Sequence, residues 1–95
     1  MGFYKTRKWI NKREKVLRRD EYMCRECRRY GKTSAATTVH HINQLRDHPE
    51  LALAEWNLIS LCGRCHDKMH DRTTDALTAL GQAWVERMRP TLEIL

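Results

Sequence analysis

The chain has 95 residues, of which 41% are apolar and only 7% aromatic, and this length predicts one domain. A hydrophobic core of this size gives only marginal stability, so a structural metal is expected to add to it. No stretch is apolar enough to predict a membrane span, and the N-terminus lacks the apolar segment of a signal peptide. The net charge of +6 is uneven: residues 1–32 carry 12 Lys/Arg against 4 acids, whereas residues 33–95 carry 6 against 8. This basic lobe fits a polyanion such as nucleic acid, or simply a solvated cationic helix.

The first third of the chain predicts a basic helix followed by a cysteine turn. Residues 1–7 have the composition of a mobile basic arm. From Lys8 to Arg19 the apolar positions share one side, which predicts an amphipathic helix whose Trp9 and Leu17 pack on the metal-binding lobe. A Cys-x2-Cys turn follows, and Gly31 lets the chain leave that turn at positive φ.

The remainder predicts two strands and two helices. Residues 37–42 and 58–61 have strand composition, and a connection with a helical turn starting at Pro49 joins them. A short helix is expected over 65–71, and a second over 75–89, with Thr74 as its N-cap and Pro90 at its end. The apolar stripe of that last helix predicts packing within the chain, with a dimer or partner contact as the alternative: Leu77, Leu80, Trp84 and Met88.

These elements predict one small α+β domain spanning residues 1–95. Its parts are a basic arm and helix (1–20), a metal-stabilised core (22–71) and a C-terminal helix (75–89). There are no repeats and no low-complexity segments.

The four cysteines form two matched pairs, Cys24-x2-Cys27 and Cys62-x2-Cys65. Two such pairs favour one tetrahedral zinc site, provided that the 34 residues between them fold back as a hairpin. Disulfides, a redox role and four unrelated buried thiols are weaker interpretations, since the chain has neither a secretion signal nor a βαβ pattern around the pairs.

Four of the five histidines predict a second, open metal site. His66 and His70 are four residues apart on a predicted helix and so share a face, whereas His40 and His41 are adjacent on a predicted strand and point to opposite sides. One of the adjacent pair can complete a three-histidine site while the other acts on a water as general base. We expect His48 to be an ordinary surface residue.

The residues 39–42 (Val-His-His-Ile), 57–62 (Asn-Leu-Ile-Ser-Leu-Cys), Cys65-His66 and His70 resemble the HNH family of ββα-metal endonucleases. The likeness covers about residues 22–70 and is greatest to the small phage and bacterial enzymes with an embedded four-cysteine zinc site. It implies that His41 is the general base, that His40 and His66 bind the catalytic metal, and that Asn57 holds the loop and orients the base. His70 matches an extra ligand found in part of the family.

The resemblance implies a metal-dependent DNA endonuclease that nicks or cuts double-stranded DNA, in phage DNA packaging, processing or restriction. Structural Zn²⁺ and a catalytic Mn²⁺, Ni²⁺, Co²⁺ or Mg²⁺ are expected, in the cytoplasm of a bacterial or phage-infected cell. The alternatives are a non-catalytic zinc module that binds nucleic acid and a packaging accessory protein. A phage terminase or another packaging protein is a candidate partner, and the chain acts as a monomer or homodimer. Ten basic residues are candidate DNA contacts: Lys8, Lys12, Arg13, Arg18, Arg19, Arg25, Arg28, Arg29, Arg64 and Lys68.

Overall fold

A two-stranded antiparallel sheet lies at the centre of the computed structural model, which describes residues 2–89. Around it the helices are α1 (Arg7–Arg19), α2 (Arg25–Arg29), α3 (Gly63–Asp67) and α4 (Ala79–Met88), and the strands are β1 (Thr38–His41) and β2 (Leu58–Leu61). Short 3-10 turns cover Phe3–Lys5, Pro49–Leu51 and Glu55–Asn57. The α+β class is therefore confirmed. Within residues 2–89, no helix is long and apolar enough to cross a membrane.

The sheet separates two apolar clusters because side chains alternate along each strand. Thr38 pairs with Leu61 and His41 with Leu58. On one face, Val39 and Leu58 pack against Trp9, Val16 and Leu17 of α1. The opposite face carries the larger cluster, which includes two cysteines and the tryptophan of α4: Cys24, Ile42, Ile59, Leu61, Cys65, Met69 and Trp84.

Helix α1 extends over the predicted residues, but its apolar side packs elsewhere than expected. Trp9 and Leu17 lie on the sheet face away from the cysteines, so the predicted packing on the metal-binding lobe is wrong. Sequence periodicity identifies the apolar side of a helix but not the face of the sheet that it covers. The N-terminal residues were expected to form a mobile arm. Instead they contain the Phe3–Lys5 turn, and Phe3 packs on this same cluster.

An ion pair at the end of α1 fastens the helix to the open edge of β2. Asp20 is 2% exposed and accepts two hydrogen bonds of 2.9 Å from Arg19. The backbone N–H of Ser60 donates to Asp20 (3.1 Å), and Arg19 donates to the carbonyl of Leu58 (2.6 Å). The pair thus satisfies backbone groups of an edge strand that face away from β1. It fixes α1 relative to the sheet.

Helix α4 begins later than predicted. The Asp71 carboxylate accepts hydrogen bonds from the backbone N–H groups of Thr73 and Thr74, and Asp75 has a φ of 63°, so a turn occupies the predicted first residues of the helix. The cap is Thr78 instead of Thr74, and α4 starts at Ala79. The predicted terminator Pro90 lies outside the described residues.

Trp84 confirms that the apolar stripe of α4 packs within the chain. It is 1% exposed within the larger cluster, and its indole N–H donates to the carboxylate of Glu26 at 2.9 Å. Leu80 and Met88 pack against the same cluster, whereas the fourth predicted member, Leu77, precedes α4 and forms a bridge with His70. Docking of this stripe on a partner is therefore not needed to bury it.

Candidate active site

The two cysteine pairs meet in one cluster. Cys24 and Cys27 flank the start of α2, and Cys62 and Cys65 flank the start of α3. All four sulfurs lie within 4.8 Å of one another, and the Sγ of Cys27 is 3.8 Å from that of Cys65. Four thiolates around one zinc at about 2.3 Å each are separated by distances of this order. The cluster has the composition and size of a tetrahedral zinc site.

Three histidines form the second cluster, on the same side of the sheet as the cysteines. His40, His66 and His70 each offer a ring nitrogen within 4.8 Å of the others, and their ring centroids are 5.3–6.0 Å apart. Nε2 of His40 is buried and has no hydrogen-bond partner among the described residues. Burial, and after it the neighbouring imidazoles, together lower the pKa of His40 to about 3. A neutral imidazole with a free lone pair beside two others is suited to bind a divalent cation.

His66 and His70 reach this cluster by a different route from the predicted one. Helix α3 begins at Gly63 and ends at Asp67, so only His66 is helical. His70 follows the helix and forms an isolated β-bridge with Leu77. The prediction that both residues lie on one helix over 65–71 is therefore wrong, although the two rings do come together.

His41 lies on the other face of β1 and takes no part in the three-histidine cluster. Its Nε2 is 3.0 Å from the carbonyl oxygen of Ala52, so Nε2 carries the proton in the neutral ring and Nδ1 is left as the acceptor. Burial lowers its pKa, and the hydrogen bond to Ala52 opposes that shift. The alternation of side chains predicted for the His40-His41 pair is confirmed.

Asn57 joins the loop that supplies Ala52. It is fully buried, and its Oδ1 accepts from both the backbone and the side-chain nitrogen of Asn43, at 2.7 and 2.9 Å. Its Nδ2 donates to the carbonyls of Asn43 (3.2 Å) and Leu51 (3.3 Å). Because Leu51 directly precedes Ala52, this amide positions the carbonyl that contacts His41.

A cavity of about 650 Å³ lies beside the histidines. His40, His41, His66 and His70 line it, whereas His48 lies outside and contacts Glu50 on the surface. Lining residues that the sequence did not predict for the site include Tyr4, Gln44, Leu45, Arg46 and Asp75. For Tyr4, the concentration of three aromatics within the first nine residues was an available signal. For the loop residues there was none, since only the fold brings them here.

The predicted DNA-contacting residues divide among several surfaces. Of the ten, only Arg13 lines the histidine cavity. Lys12 is paired with Glu55 at 2.8 Å, while Lys8 and Arg18 are exposed on α1. Arg64 and Lys68 lie near the cysteines, in a separate depression. The others line a cavity of about 500 Å³ on the β2 side, together with Asp20, Trp84 and Arg87: Arg19, Arg25, Arg28 and Arg29.

Comparison with known proteins gives two matches. The profile of the HNH endonuclease family matches residues 24–72. The crystal structure of an HNH endonuclease from the deep-sea thermophilic bacteriophage GVE2, determined with a manganese ion, superposes with a TM-score of 0.68 and 31% sequence identity. That match covers 93% of this chain and 83% of the phage chain. No curated relative matches the chain.

Proposed function

The chain belongs to the HNH endonuclease family and is a metal-dependent DNA endonuclease, and we propose that its chemistry is divided between the two faces of β1. His40, His66 and His70 bind the catalytic divalent cation on one face, and His41 acts as general base on the other. The observation that carries this assignment is the placement of the adjacent histidines. One lies in a cluster of three imidazoles, and the other is outside that cluster with one nitrogen already hydrogen-bonded.

The donor set fits a divalent cation in an open site. Three imidazole ligands leave coordination positions for water and phosphate, and imidazole is suited to Mn²⁺, Co²⁺ or Ni²⁺ more than to Mg²⁺. The manganese ion in the similar phage enzyme supports Mn²⁺ as a first choice. When bound, such a cation neutralises charge on the scissile phosphate and assists departure of the 3′-oxygen.

His41 supplies the proton transfer. Its Nδ1 takes a proton from water as the water oxygen bonds to phosphorus and the bond to the 3′-oxygen breaks. Nε2–H remains bonded to the Ala52 carbonyl throughout, which holds the ring in the required tautomer. Asn57 acts indirectly, because it holds the loop that presents the Ala52 carbonyl to His41.

The four cysteines are proposed to hold a structural Zn²⁺. Burial raises the pKa of Cys27 and Cys65, so without a metal these thiols stay protonated near neutral pH. Zinc must therefore displace protons, and its affinity rises with pH. Because Cys62 and Cys65 flank the start of α3, the zinc site also fixes the helix that carries His66.

DNA contact is proposed for two surfaces, one beside the histidine cavity and the other on the β2 side of the sheet. Arg13 and Arg46 lie at the histidine cavity and are expected to grip phosphates next to the cut. On the β2 side, Arg28 and Arg87 line the second cavity and are expected to hold DNA further away. Arg19 stabilises the edge of the sheet instead, because its guanidinium donates hydrogen bonds to the Asp20 carboxylate and to the carbonyl oxygens of Glu55 and Leu58.

The bacteriophage origin of the similar enzyme supports a role in phage DNA processing or packaging. We accordingly propose action in the cytoplasm of a phage-infected or bacterial cell, with terminase or another packaging protein as partner. One active site cuts one strand, so the order of nicked and linear products distinguishes a monomer from a homodimer.

Supercoiled-plasmid cleavage tests the assignment. We compare wild type, His41→Ala and His48→Ala without added metal and with Mg²⁺, Mn²⁺ or Ni²⁺, after checking zinc content and melting temperature. Cleavage by wild type and His48→Ala with added metal, and none by a folded, zinc-loaded His41→Ala variant, is the expected result. Activity with Mg²⁺ but not Mn²⁺ contradicts the metal site, and full activity of His41→Ala contradicts the base.

A further inference from the structure

The imidazole of His41 is enclosed by aromatic side chains from the N-terminal segment. The indole of Trp9 stacks on it with ring centroids 5.0 Å apart and an interplanar angle of 22°. Phe3 and Tyr4 approach the same ring at 5.9 and 6.0 Å. As a result His41 is 7% exposed and Trp9 is 4% exposed.

A general base without a metal bond needs another source of orientation. The hydrogen bond to Ala52 holds one ring nitrogen at one point, but it does not fix the plane of the ring. The terminal torsion of a histidine has a broad preference and gives little restraint. The stacked indole, inclined by only 22° to the imidazole, removes this freedom, because rotation of the imidazole would drive its edge into the indole.

Trp9 is itself held firmly. Trp9 lies in the first turn of α1, where its backbone N–H donates to the capping hydroxyl of Thr6 at 3.2 Å. The indole ring also contacts the rings of Phe3 and Tyr4, at centroid distances of 5.3 and 5.4 Å. At its other end, α1 is fixed to β2 through the Arg19–Asp20 pair. A side chain with this support can impose its orientation on a neighbour.

We propose that Trp9 is a positioning residue for catalysis, setting the ring plane of His41 so that Nδ1 is directed at the attacking water. The proposal rests on the proposed role of His41 as base. It places a determinant of activity outside residues 24–72, the part of the chain that matches the family profile. It also gives the N-terminal helix a role in the chemistry besides any contact with DNA.

Steady-state cleavage of a duplex oligonucleotide with Mn²⁺ tests the proposal in Trp9→Leu and Trp9→Phe. Misplacement of a catalytic group by about 1 Å can cost about 100-fold in rate, so we expect kcat of Trp9→Leu to fall about 10- to 100-fold with KM little changed. In Trp9→Phe a planar ring can still stack on His41, so we expect its kcat to stay within about threefold of wild type. If Trp9→Leu does not fold, Trp9→Met replaces it as a flexible side chain without a ring.

The matched control is Val16→Ala, which removes buried volume from the same apolar cluster on the same helix, at a residue that does not line the histidine cavity. It is expected to lower the melting temperature and to leave kcat unchanged at a temperature where the variant is folded. Equal losses of kcat in Val16→Ala and Trp9→Leu would mean that only the stability of α1 matters, and would overturn the proposal.

A second readout is chemical rescue of His41→Gly by free imidazole. With Trp9 present, imidazole can stack on the indole and donate to the Ala52 carbonyl, whereas in the Trp9→Leu/His41→Gly variant the stacking surface is lost. We expect at least about tenfold weaker rescue in the double variant. Equal rescue in both, with wild-type kcat in Trp9→Leu, overturns the role of Trp9 and leaves His41 as the base. Full activity of His41→Gly without imidazole instead removes the base assignment itself.

Discussion

Replacing the buried amide of Asn57 by a carboxyl group of nearly equal shape tests how the loop around His41 is held. In wild type, Oδ1 accepts two hydrogen bonds and Nδ2 donates to two carbonyl oxygens, at 3.2 and 3.3 Å. In Asn57→Asp the acceptor side is preserved, but an ionised oxygen would face those two carbonyls. The introduced carboxyl therefore has a strongly raised pKa in the folded state.

The size of the effect follows from linkage. An unfolded Asp has a pKa near 3.9, so keeping the carboxyl protonated in the folded state costs about 1.4 kcal/mol for each pH unit above that value, up to its folded pKa. At pH 8 the variant is then destabilised by up to about 6 kcal/mol, and at pH 6 by about 3 kcal/mol. For comparison, Asn57→Ala loses four hydrogen bonds, each with a net contribution near 1 kcal/mol, and its penalty of about 3–4 kcal/mol does not depend on pH.

The assay is urea unfolding of the three proteins in zinc-containing buffer at pH 6, 7 and 8. Each variant is compared with wild type at the same pH, which cancels the pH dependence of zinc binding. The expected result is a penalty for Asn57→Asp that grows with pH, beside a constant penalty for Asn57→Ala. A carboxyl variant that is equally stable relative to wild type at pH 6 and 8 would refute the placement of Nδ2 against the two carbonyls.

Three further outcomes are expected. Cys27→Ala should lose zinc and unfold, because zinc binding worth roughly 10 kcal/mol exceeds the stability that a domain of this size can spare; a native-like melting curve contradicts the zinc site. The acid limb of the pH–rate profile should lie below 6.5, the ordinary pKa of histidine, because burial lowers the pKa of His41 and the base stays neutral until the pH falls further; a midpoint above 6.5 in single-turnover cleavage contradicts this. In His70→Ala the Mn²⁺ concentration for half-maximal cleavage should rise at least about tenfold, as expected for loss of a ligand; an unchanged metal titration removes His70 from the site.

The elements of the core could be predicted because their determinants are local. Paired cysteines three apart require a turn, and adjacent histidines on a strand must point to opposite faces whatever surrounds them. For the same reason the cysteine cluster was predictable from spacing. Spacing did not identify which of His40 and His41 joins His66 and His70, and the helix expected to carry both His66 and His70 ends at Asp67. The assignment of His40 came from the resemblance to the HNH family.

The incorrect predictions concern tertiary packing, that is, which surface of one element contacts which surface of another. The periodicity of α1 marked Trp9 as buried, yet nothing in the sequence specified that it covers His41 instead of the cysteines. The start of α4 was missed because the Asp71 turn competes with helix formation, and its advantage comes from tertiary contacts such as the bridge of His70 to Leu77. Ala52 carries no side-chain signal at all, since only its backbone oxygen takes part.

The proposed metal ligands and the proposed general base depend on separate parts of the fold. On one face of β1, the cysteine site fixes α3 and so brings His66 to His40. On the other, α1 and the Asn57 loop fix His41 through Trp9 and the Ala52 carbonyl. Because these supports lie on opposite faces of the sheet, damage to the contact between Trp9 and His41 should leave both metal sites in place. A variant of Trp9 should thus still bind zinc and Mn²⁺ normally while cutting slowly, whereas loss of zinc should abolish Mn²⁺ binding together with cleavage.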